Sequence, residues 1–471
     1  MSNFSETCQK YLHDTGMTKY QFSNTFNLNQ TSLQRMLSGT RLPKPDFFAK
    51  FCSHLRISPT EKAQLMELYE QERIGKTAYY NRKYIQLILE QFASSNANNN
   101  FSIPLANENL HLLSENAASA IHNFLEELIN NSNEIPFLYT NLPPDCLGFC
   151  RILLKLAEKY HKQFNVYHLF PICQNPAVCD NVNSNLETLL CVISFALTQY
   201  EHYHPAFFYC KDSQLQLCGL LYPYYIISKD CVFLLSADFY DFQILYEPCT
   251  IAKYHEEFKK YFHMADPFLF VAKTPTEVIN FYSQLAKEKQ PCSFILESQP
   301  CPHSLIYDLD IFKAAAPDTY TSSLETLMHD FREHYHLPVS FHNYFTLDGL
   351  LHFVNTGKLS GPYSYLSAFF PVETRKRMLQ HFLDVSFKKN RYTMLKNQPL
   401  IAKNVYYEVF SDYSFFLCFL NKDQTFLGFY ISESSIGESF YDYMESLENS
   451  SLAYSHEETR QRIMDLLKTL D

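Results

Sequence analysis

The chain has 471 residues, of which 46% are hydrophobic and 19% charged, and its formal net charge is −11. This composition suits about three domains with apolar cores and excludes a largely disordered or collagen-like chain. Only 10 residues are glycine. Neither G-x-G-x-x-G nor G-x-x-x-x-G-K-[ST] occurs, so the sequence predicts neither a dinucleotide-binding site nor a P-loop. The G-x-S-x-G motif of serine hydrolases is also absent.

The 14 cysteines are scattered and form no C-x-x-C pair. We expect buried, reduced thiols, as is typical of a cytoplasmic protein. Residues 1–10 contain no hydrophobic signal core, and no apolar stretch is long enough to span a bilayer. The sequence therefore predicts a soluble cytoplasmic protein without a membrane partner.

The first 75 residues carry signals for five short helices. Thr18–Gln21 forms a T-x-x-Q capping box that opens the second helix, and Asn29 is placed to cap a third helix over Gln30–Ser38. Asn27 lies in the turn between them, where a left-handed residue is usually needed. Ser58-Pro59-Thr60-Glu61 combines a capping serine with an N-terminal proline and predicts the start of the fifth helix.

This pattern resembles the helix-turn-helix of phage-repressor-like (XRE/Cro-like) transcriptional regulators. The second helix at 18–23, the turn at 27–28 and the third helix at 29–36 carry the resemblance. Leu33 and Met36 occupy the apolar positions that dock the third helix. Asn27 stands where the family usually has glycine, and Lys19 stands where glutamine is common.

The resemblance implies a DNA interface on the polar side of the third helix. The side chains that would read base edges are Gln30, Thr31, Gln34 and Arg35. The side chains that would contact phosphates are Lys19, Ser32, Arg41 and Lys44. Residues 18–56 carry six Lys or Arg and one Asp, which favours contact with a polyanion. The alternative is that this polar side is only solvated.

Residues 76–93 have the spacing of one more helix, either a dimerisation strut or a cap on the N-terminal module. The Ser/Asn-rich run 94–100 follows it as a linker. From residue 101 onward, short strands alternate with longer helices. A strand at Ile135–Thr140, a helix at Cys146–Tyr160 and a strand at Asn165–Leu169 predict a parallel strand pair. Residues 223–264 are similar to half of a non-catalytic phospholipase D-like sensor domain, in which the catalytic H-x-K-x-x-x-x-D spacing is absent.

The predicted fold is therefore multidomain, with an all-α five-helix helix-turn-helix domain followed by a large mixed α/β (α+β) region for sensing or oligomerisation. The helix-turn-helix domain spans 1–75, and the connector helix and linker span 76–100. A sensor domain spans 101–310, and a second α/β subdomain with C-terminal helices spans 311–471.

Two groups of histidines could hold a metal ion. His202 and His204 follow Glu201, and the second group consists of His329, His334 and His336. On a helix, His329 and His334 would point about 140° apart, which does not suit one ion. A zinc clip of Cys292, Cys301 and His303 is a weaker alternative. We predict no metal site, no cofactor and no catalytic residue. The many Tyr and Phe side chains would build the core or, alternatively, line a ligand pocket.

The sequence thus predicts a sequence-specific DNA-binding transcriptional regulator that is not an enzyme. It would bind a double-stranded operator as a homodimer and respond to a small-molecule or peptide effector. The alternative is a protein-interaction or sensory adaptor that retains the helix-turn-helix fold without reading DNA.

Overall fold

The computed structural model describes residues 2–95, 113–173, 184–210, 221–287, 292–301, 305, 329, 341–361, 364, 369–389, 391–396, 405–420, 425–431, 434–448 and 450–470. Most of the predicted linker 94–100 and of the helix predicted near 323–336 lies outside these residues, as do His303, His334 and His336. The chain divides into two compact units, Met1–Lys83 and Tyr84–Asp471.

The first unit is helical. Its five complete helices are α1 (Asn3–Asp14), α2 (Lys19–Thr25), α3 (Gln30–Leu37), α4 (Pro45–Ser53) and α5 (Pro59–Ile74), and α6 (Lys76–Ser95) begins in this unit. Their apolar faces share one core, which includes Phe22, Leu33, Phe51 and Leu65. Packing of these amphipathic faces gives the unit most of its helical stability.

The helix starts follow the predicted capping residues. The Gln21 backbone N–H donates to Thr18 Oγ1 at 3.2 Å and the Thr18 N–H donates to Gln21 Oε1 at 3.0 Å, which completes the capping box of α2. Asn29 caps α3 by accepting the Ser32 N–H at 2.9 Å. Asn27 has a φ of 50°, so the predicted left-handed turn residue is confirmed.

The second unit contains two mixed sheets of seven strands each among the described residues. The first sheet consists of β1 (Phe137–Thr140), β2 (Asn165–Cys173), β3 (Tyr203–Cys210), β4 (Tyr224–Ile227), β5 (Val232–Leu235), β6 (Phe242–Leu245) and β7 (Asp266–Pro267). The second sheet consists of β8 (Phe270–Ala272), β9 (Cys292–Glu297), β10 (His342–Thr346), β11 (Arg391–Leu395), β12 (Val405–Phe410), β13 (Phe415–Leu420) and β14 (Phe426–Ile431).

The two sheets repeat one strand order. Strands β1, β2 and β3 are parallel neighbours, and β4, β5 and β6 continue from the other side of β1 as antiparallel strands. Strands β9 to β14 follow the same order and the same directions. The second unit is therefore an internally duplicated fold, although inspection of the sequence reveals no repeat.

Helices surround both sheets. The described helices of this unit are α7 (Glu115–Asn131), α8 (Leu147–Tyr160), α9 (Ser184–Gln199), α10 (Pro248–Met264), α11 (Pro275–Lys287), α12 (Leu347–Thr356), α13 (Val372–His381), α14 (Phe387–Lys389), α15 (Ser434–Leu447) and α16 (His456–Lys468). A π-helical turn, Phe382–Ser386, joins α13 to α14. Helices α10 and α15 occupy equivalent places after the sixth strand of each repeat. Phe258 of α10 stacks on Tyr139, and Phe440 of α15 stacks on Phe415.

A short segment connects the edges of the two sheets. Strand β7 pairs with β3 at the edge of the first sheet, and β8 pairs with β14 at the edge of the second. Between them, the buried Phe268 packs against Phe207 of the first sheet and Phe429 of the second.

The structure thus confirms a multidomain chain of α+β content with two mixed sheets. The predicted parallel pairing of the strands around α8 is confirmed, because β1 pairs with β2 in parallel. Strands β8 and β9 already belong to the second sheet, whereas the sequence predicts a boundary at residue 310. Within the described part of the chain, no helix combines the length and the apolar character that a membrane span requires.

Candidate functional site

The exposed side of α3 brings together the side chains that were predicted to read bases. Gln30, Thr31, Gln34 and Arg35 are exposed, and Ser32 is half-buried. The opposite side of the helix is buried through Leu33, Met36 and Leu37. The predicted orientation of this helix is therefore confirmed.

The basic side chains predicted to contact phosphates also lie on the surface of the first unit. Lys19, at the start of α2, and Arg41 and Lys44, between α3 and α4, are exposed. Another lysine of this region has a structural role, because Lys50 Nζ donates to the Asn27 carbonyl at 3.0 Å. The three exposed cations can attract any polyanionic surface.

The second unit contains an open cavity of about 520 Å³. The start of β3, the end of α10, the segment that carries β7 and β8, and the start of α11 form its walls. The apolar part of its lining includes Phe262, Ala265, Leu269 and Val271. A volume of this size is typical of sites for small molecules.

Three charged side chains line this cavity, Glu201, Lys273 and Glu277. Lys273 Nζ donates to Glu201 Oε1 at 2.6 Å. One carboxylate oxygen of Glu277, Oε2, accepts the backbone N–H groups of Lys273 at 2.7 Å and Thr274 at 3.3 Å, just before α11 begins. The lysine and the N-terminus of the helix are therefore already neutralised by carboxylates, and one negative charge remains in excess.

A half-buried histidine completes the polar part of the cavity. His204 stacks on Tyr167 with ring centroids 4.7 Å apart. Within the described residues, neither ring nitrogen of His204 has a hydrogen-bond partner. Burial lowers the pKa of His204, and the neighbouring His202 lowers it further. The imidazole is neutral at pH 7 and can both donate and accept a hydrogen bond.

A second polar cluster is buried inside the second sheet. Glu297 at the end of β9 and Glu408 on β12 are 4% and 2% exposed. Asn343 Nδ2 donates to Glu297 Oε1 at 3.3 Å, and the Tyr406 hydroxyl donates to Glu408 Oε2 at 3.0 Å. Burial raises the pKa of Glu297 well above its usual range, and the Glu408 carboxylate raises it further. Burial therefore favours the protonated form of Glu297.

Thiols border the buried carboxyl pair. The Cys292 side chain hydrogen-bonds to Glu408, and burial raises the pKa of the Cys292 thiol, with a further contribution from Glu408. The Cys301 side chain hydrogen-bonds to Glu297. Both thiols are buried, and the raised pKa of Cys292 keeps that thiol protonated, which does not suit nucleophilic chemistry.

The two histidines of the first group engage other partners. His202 Nδ1 lies 2.8 Å from Asn165 Oδ1, and His204 packs on Tyr167. In the part of the chain that the structure describes, no three His, Cys, Asp or Glu side chains are grouped so that they could hold a metal ion.

Sequence reasoning singled out Glu201 and His204 but did not place them in a cavity. Lys273 and Glu277 lie about 70 residues away along the chain, so only the fold brings them together. The Thr274-x-x-Glu277 capping pattern could have marked the start of α11. No sequence signal distinguishes Glu297 and Glu408 from ordinary surface carboxylates.

The comparisons with known proteins give a distant structural likeness. No family model and no curated protein matches the chain. A solved structure, the phosphatidylserine synthase of Haemophilus influenzae Rd KW20, matches with a TM-score of 0.26 and 10% sequence identity. The match covers 75% of this chain and 90% of that chain. A likeness this weak carries no argument about the activity of this protein.

The prediction of a sequence-specific DNA-binding transcriptional regulator is not retained. No family model and no curated protein supports it, and the solved structure that matches is described as a phosphatidylserine synthase. The absence of enzymatic activity stays a prediction. The homodimer and the effector also stay predictions.

Proposed function

We propose that this protein is a sensory adaptor. Residues 84–471 bind a small molecule, and the helical unit Met1–Lys83, a helix-turn-helix-like module that does not read DNA sequence, contacts a partner protein. The cavity of about 520 Å³ in the second unit carries this proposal. Its apolar walls would bury the body of a ligand, and its few polar side chains would orient it.

Binding is favoured over catalysis by what the cavity contains. Glu201 and Glu277 are engaged by Lys273 and by backbone N–H groups, so neither carboxylate is free to act as a general base. The catalytic H-x-K-x-x-x-x-D spacing is also absent from 223–264, the segment that is similar to half of a sensor domain.

The surface of the first unit supports an interaction role. The exposed cations Lys19, Arg35, Arg41 and Lys44 suit an acidic protein surface, and such contacts steer association more than they add affinity. A partner bound this way dissociates as the salt concentration rises.

Ligand binding is tested by thermal unfolding of the full chain with a library of small metabolites. We expect at least one compound to raise the melting temperature of the wild type, since ligands that bind only the folded state stabilise it. The cavity-filling variant Ala265→Phe loses this shift. Ala252→Phe changes an exposed alanine of α10, the helix that Ala265 directly follows, and should keep the shift in melting temperature. A library without any stabilising compound, or a shift that survives Ala265→Phe, contradicts the proposal.

The role of the first unit is tested separately by selection from random duplex DNA. We expect retention on heparin that vanishes at moderate salt, and no enriched DNA motif. Enrichment of one motif, lost in Arg35→Ala, would overturn the adaptor proposal.

A further inference from the structure

The cavity of the second unit carries an uneven charge that restricts what it can hold. Of its two potential sources of positive charge, Lys273 is bound by Glu201, and the N-terminus of α11 is capped by Glu277. An anionic ligand would have to displace one of these carboxylates. A cationic ligand meets an unbalanced carboxylate from the outset.

One acceptor in the lining has no partner. Glu277 Oε2 accepts two backbone N–H groups, whereas Oε1 of the same carboxylate has no hydrogen-bond partner in the part of the chain that the structure describes. The backbone bonds fix the orientation of the carboxylate, so Oε1 is a pre-positioned acceptor. Charge-assisted bonds to such a group are about twice as strong as neutral ones.

The other walls suit the body of an organic cation. Phe262 and Tyr200 supply aromatic rings, and Leu269 and Val271, two residues apart along the extended segment, supply aliphatic contacts. Aromatic faces attract ammonium groups. The neutral His204 offers a ring nitrogen to an N–H donor without repelling positive charge.

We propose that the cavity lined by Glu201, His204 and Glu277 binds small organic amines in their ammonium form, with an apolar or aromatic body against Phe262 and Val271. This inference rests on the proposed ligand-binding function and names the ligand class for the same cavity. The ammonium group donates to Glu277 Oε1 and to His204, and the Glu201–Lys273 ion pair stays in place beside it.

Three probes of one shape and different charge test the ligand class. Phenethylamine is cationic, 2-phenylethanol is neutral and 3-phenylpropanoate is anionic, and all carry a phenyl ring on a two-carbon chain. Binding of each to the full chain is measured at pH 7.5 by ligand-observed NMR titration. We expect phenethylamine to bind at least about five-fold more tightly than the alcohol, in line with a charge-assisted hydrogen bond, and the anion not to bind.

Variants separate the charge of the cavity from its shape. Glu277→Gln should remove the preference for phenethylamine over 2-phenylethanol, whereas Glu256→Gln, at an exposed position of α10, should keep it. Ala265→Phe and Val271→Phe should weaken all three probes by filling the apolar part. Far-ultraviolet circular dichroism checks that each variant is folded.

The outcomes distinguish the two levels of the proposal. If 2-phenylethanol or 3-phenylpropanoate binds as tightly as phenethylamine, the proposed ligand class is wrong. The class is also wrong if Glu277→Gln still prefers phenethylamine over 2-phenylethanol. In both cases the cavity remains a ligand site. Binding that is insensitive to both phenylalanine variants overturns the cavity as the site. Absence of phenethylamine binding at 5 mM, about the affinity limit for a fragment of this size, also overturns the amine class.

Discussion

Glu297 and Glu408 lie on adjacent antiparallel strands, with Glu297 directly opposite Tyr406 and therefore diagonal to Glu408 on the same face of the second sheet. Both carboxyl groups are almost completely buried. Two negative charges in this position would repel each other without solvent to screen them, which favours protonation of Glu297. This pair makes the stability of the protein sensitive to pH.

Glu297→Gln should make the free energy of unfolding less dependent on pH above pH 4.5. The folded-state pKa of Glu297 is raised, so the folded chain keeps a proton that the unfolded chain loses near pH 4.5. The free energy of unfolding therefore falls as pH rises above that value, by at most about 1.4 kcal/mol per pH unit, until the folded-state pKa is passed. Urea denaturation between pH 6.5 and 8.5 measures this slope.

The matched control for Glu297→Gln is Glu438→Gln, at an exposed position of α15. It should reproduce the wild-type slope. Equal slopes for the wild type and Glu297→Gln would show that the carboxyl is ionised in the folded protein.

His168→Gln should reduce the loss of stability that the protein shows as pH falls from 7 to 4.5. Burial lowers the pKa of His168 to about 4, although a hydrogen bond to the Leu142 carbonyl opposes the shift. Burial likewise lowers the pKa of His342 to about 4. The unfolded chain takes up these protons near pH 6.5 and the folded chain only near pH 4, so stability falls as pH falls through this window.

Each buried histidine accounts for about 3 kcal/mol of this loss by the size of its shift. Denaturation between pH 7 and 4.5 gives the slope for the wild type and for His168→Gln. His263→Gln, at an exposed position of α10, should leave the slope unchanged. An unaltered slope in His168→Gln would mean that His168 is protonated in the folded state.

Two substitutions of Asn27 should have different effects on the stability of the first unit. The residue has a φ of 50°, a conformation that glycine adopts freely and alanine adopts at a cost of about 1 kcal/mol. Asn27→Gly should leave the first unit as stable as the wild type or slightly more stable, and Asn27→Ala should destabilise it. The melting temperature of the helical circular dichroism signal ranks the wild type and the two variants. Equal stability of Asn27→Ala and Asn27→Gly would contradict the left-handed conformation of residue 27.

Gly349→Ala should be among the most damaging single-methyl changes in the chain. A Cβ at this position would lie 1.7 Å from the backbone oxygen of Ser298, and that oxygen also accepts hydrogen bonds from Thr346. Since the backbone must move, we expect a loss of about 3 kcal/mol. Gly361→Ala, where the space is open but φ is +66°, should lose about 1 kcal/mol. Chemical denaturation measures the free energy of unfolding of both variants. Equal losses in Gly349→Ala and Gly361→Ala would contradict the close approach of Gly349 to the Ser298 oxygen.

The sequence allowed the helices of the first unit to be predicted closely, because capping residues mark their starts. Thr18, Asn29 and Ser58 each cap a helix in the structure. In the second unit the parallel pair of β1 and β2 was predicted, since a helical pattern separates two apolar runs.

Strands with buried polar residues could not be predicted. Strand β10 contains His342 and Asn343, which are buried because Thr393, Cys301 and Glu297 satisfy their hydrogen bonds. Those partners come from distant segments, so the pattern His-Asn-Tyr-Phe-Thr does not indicate a core strand. The cavity was missed for the same reason, since its charged groups meet only in the folded chain.

The two ends of the segment from Asp266 to Ala272 pair with strands of different sheets. This pairing limits which fragments of the protein can be produced separately. A fragment that stops at residue 310 would contain β8 and β9 without the β12 and β14 neighbours that complete their pairing. Exposed strand edges of this kind invite aggregation. Neither repeat of the duplicated fold is therefore a promising unit for separate expression, despite the symmetry between them.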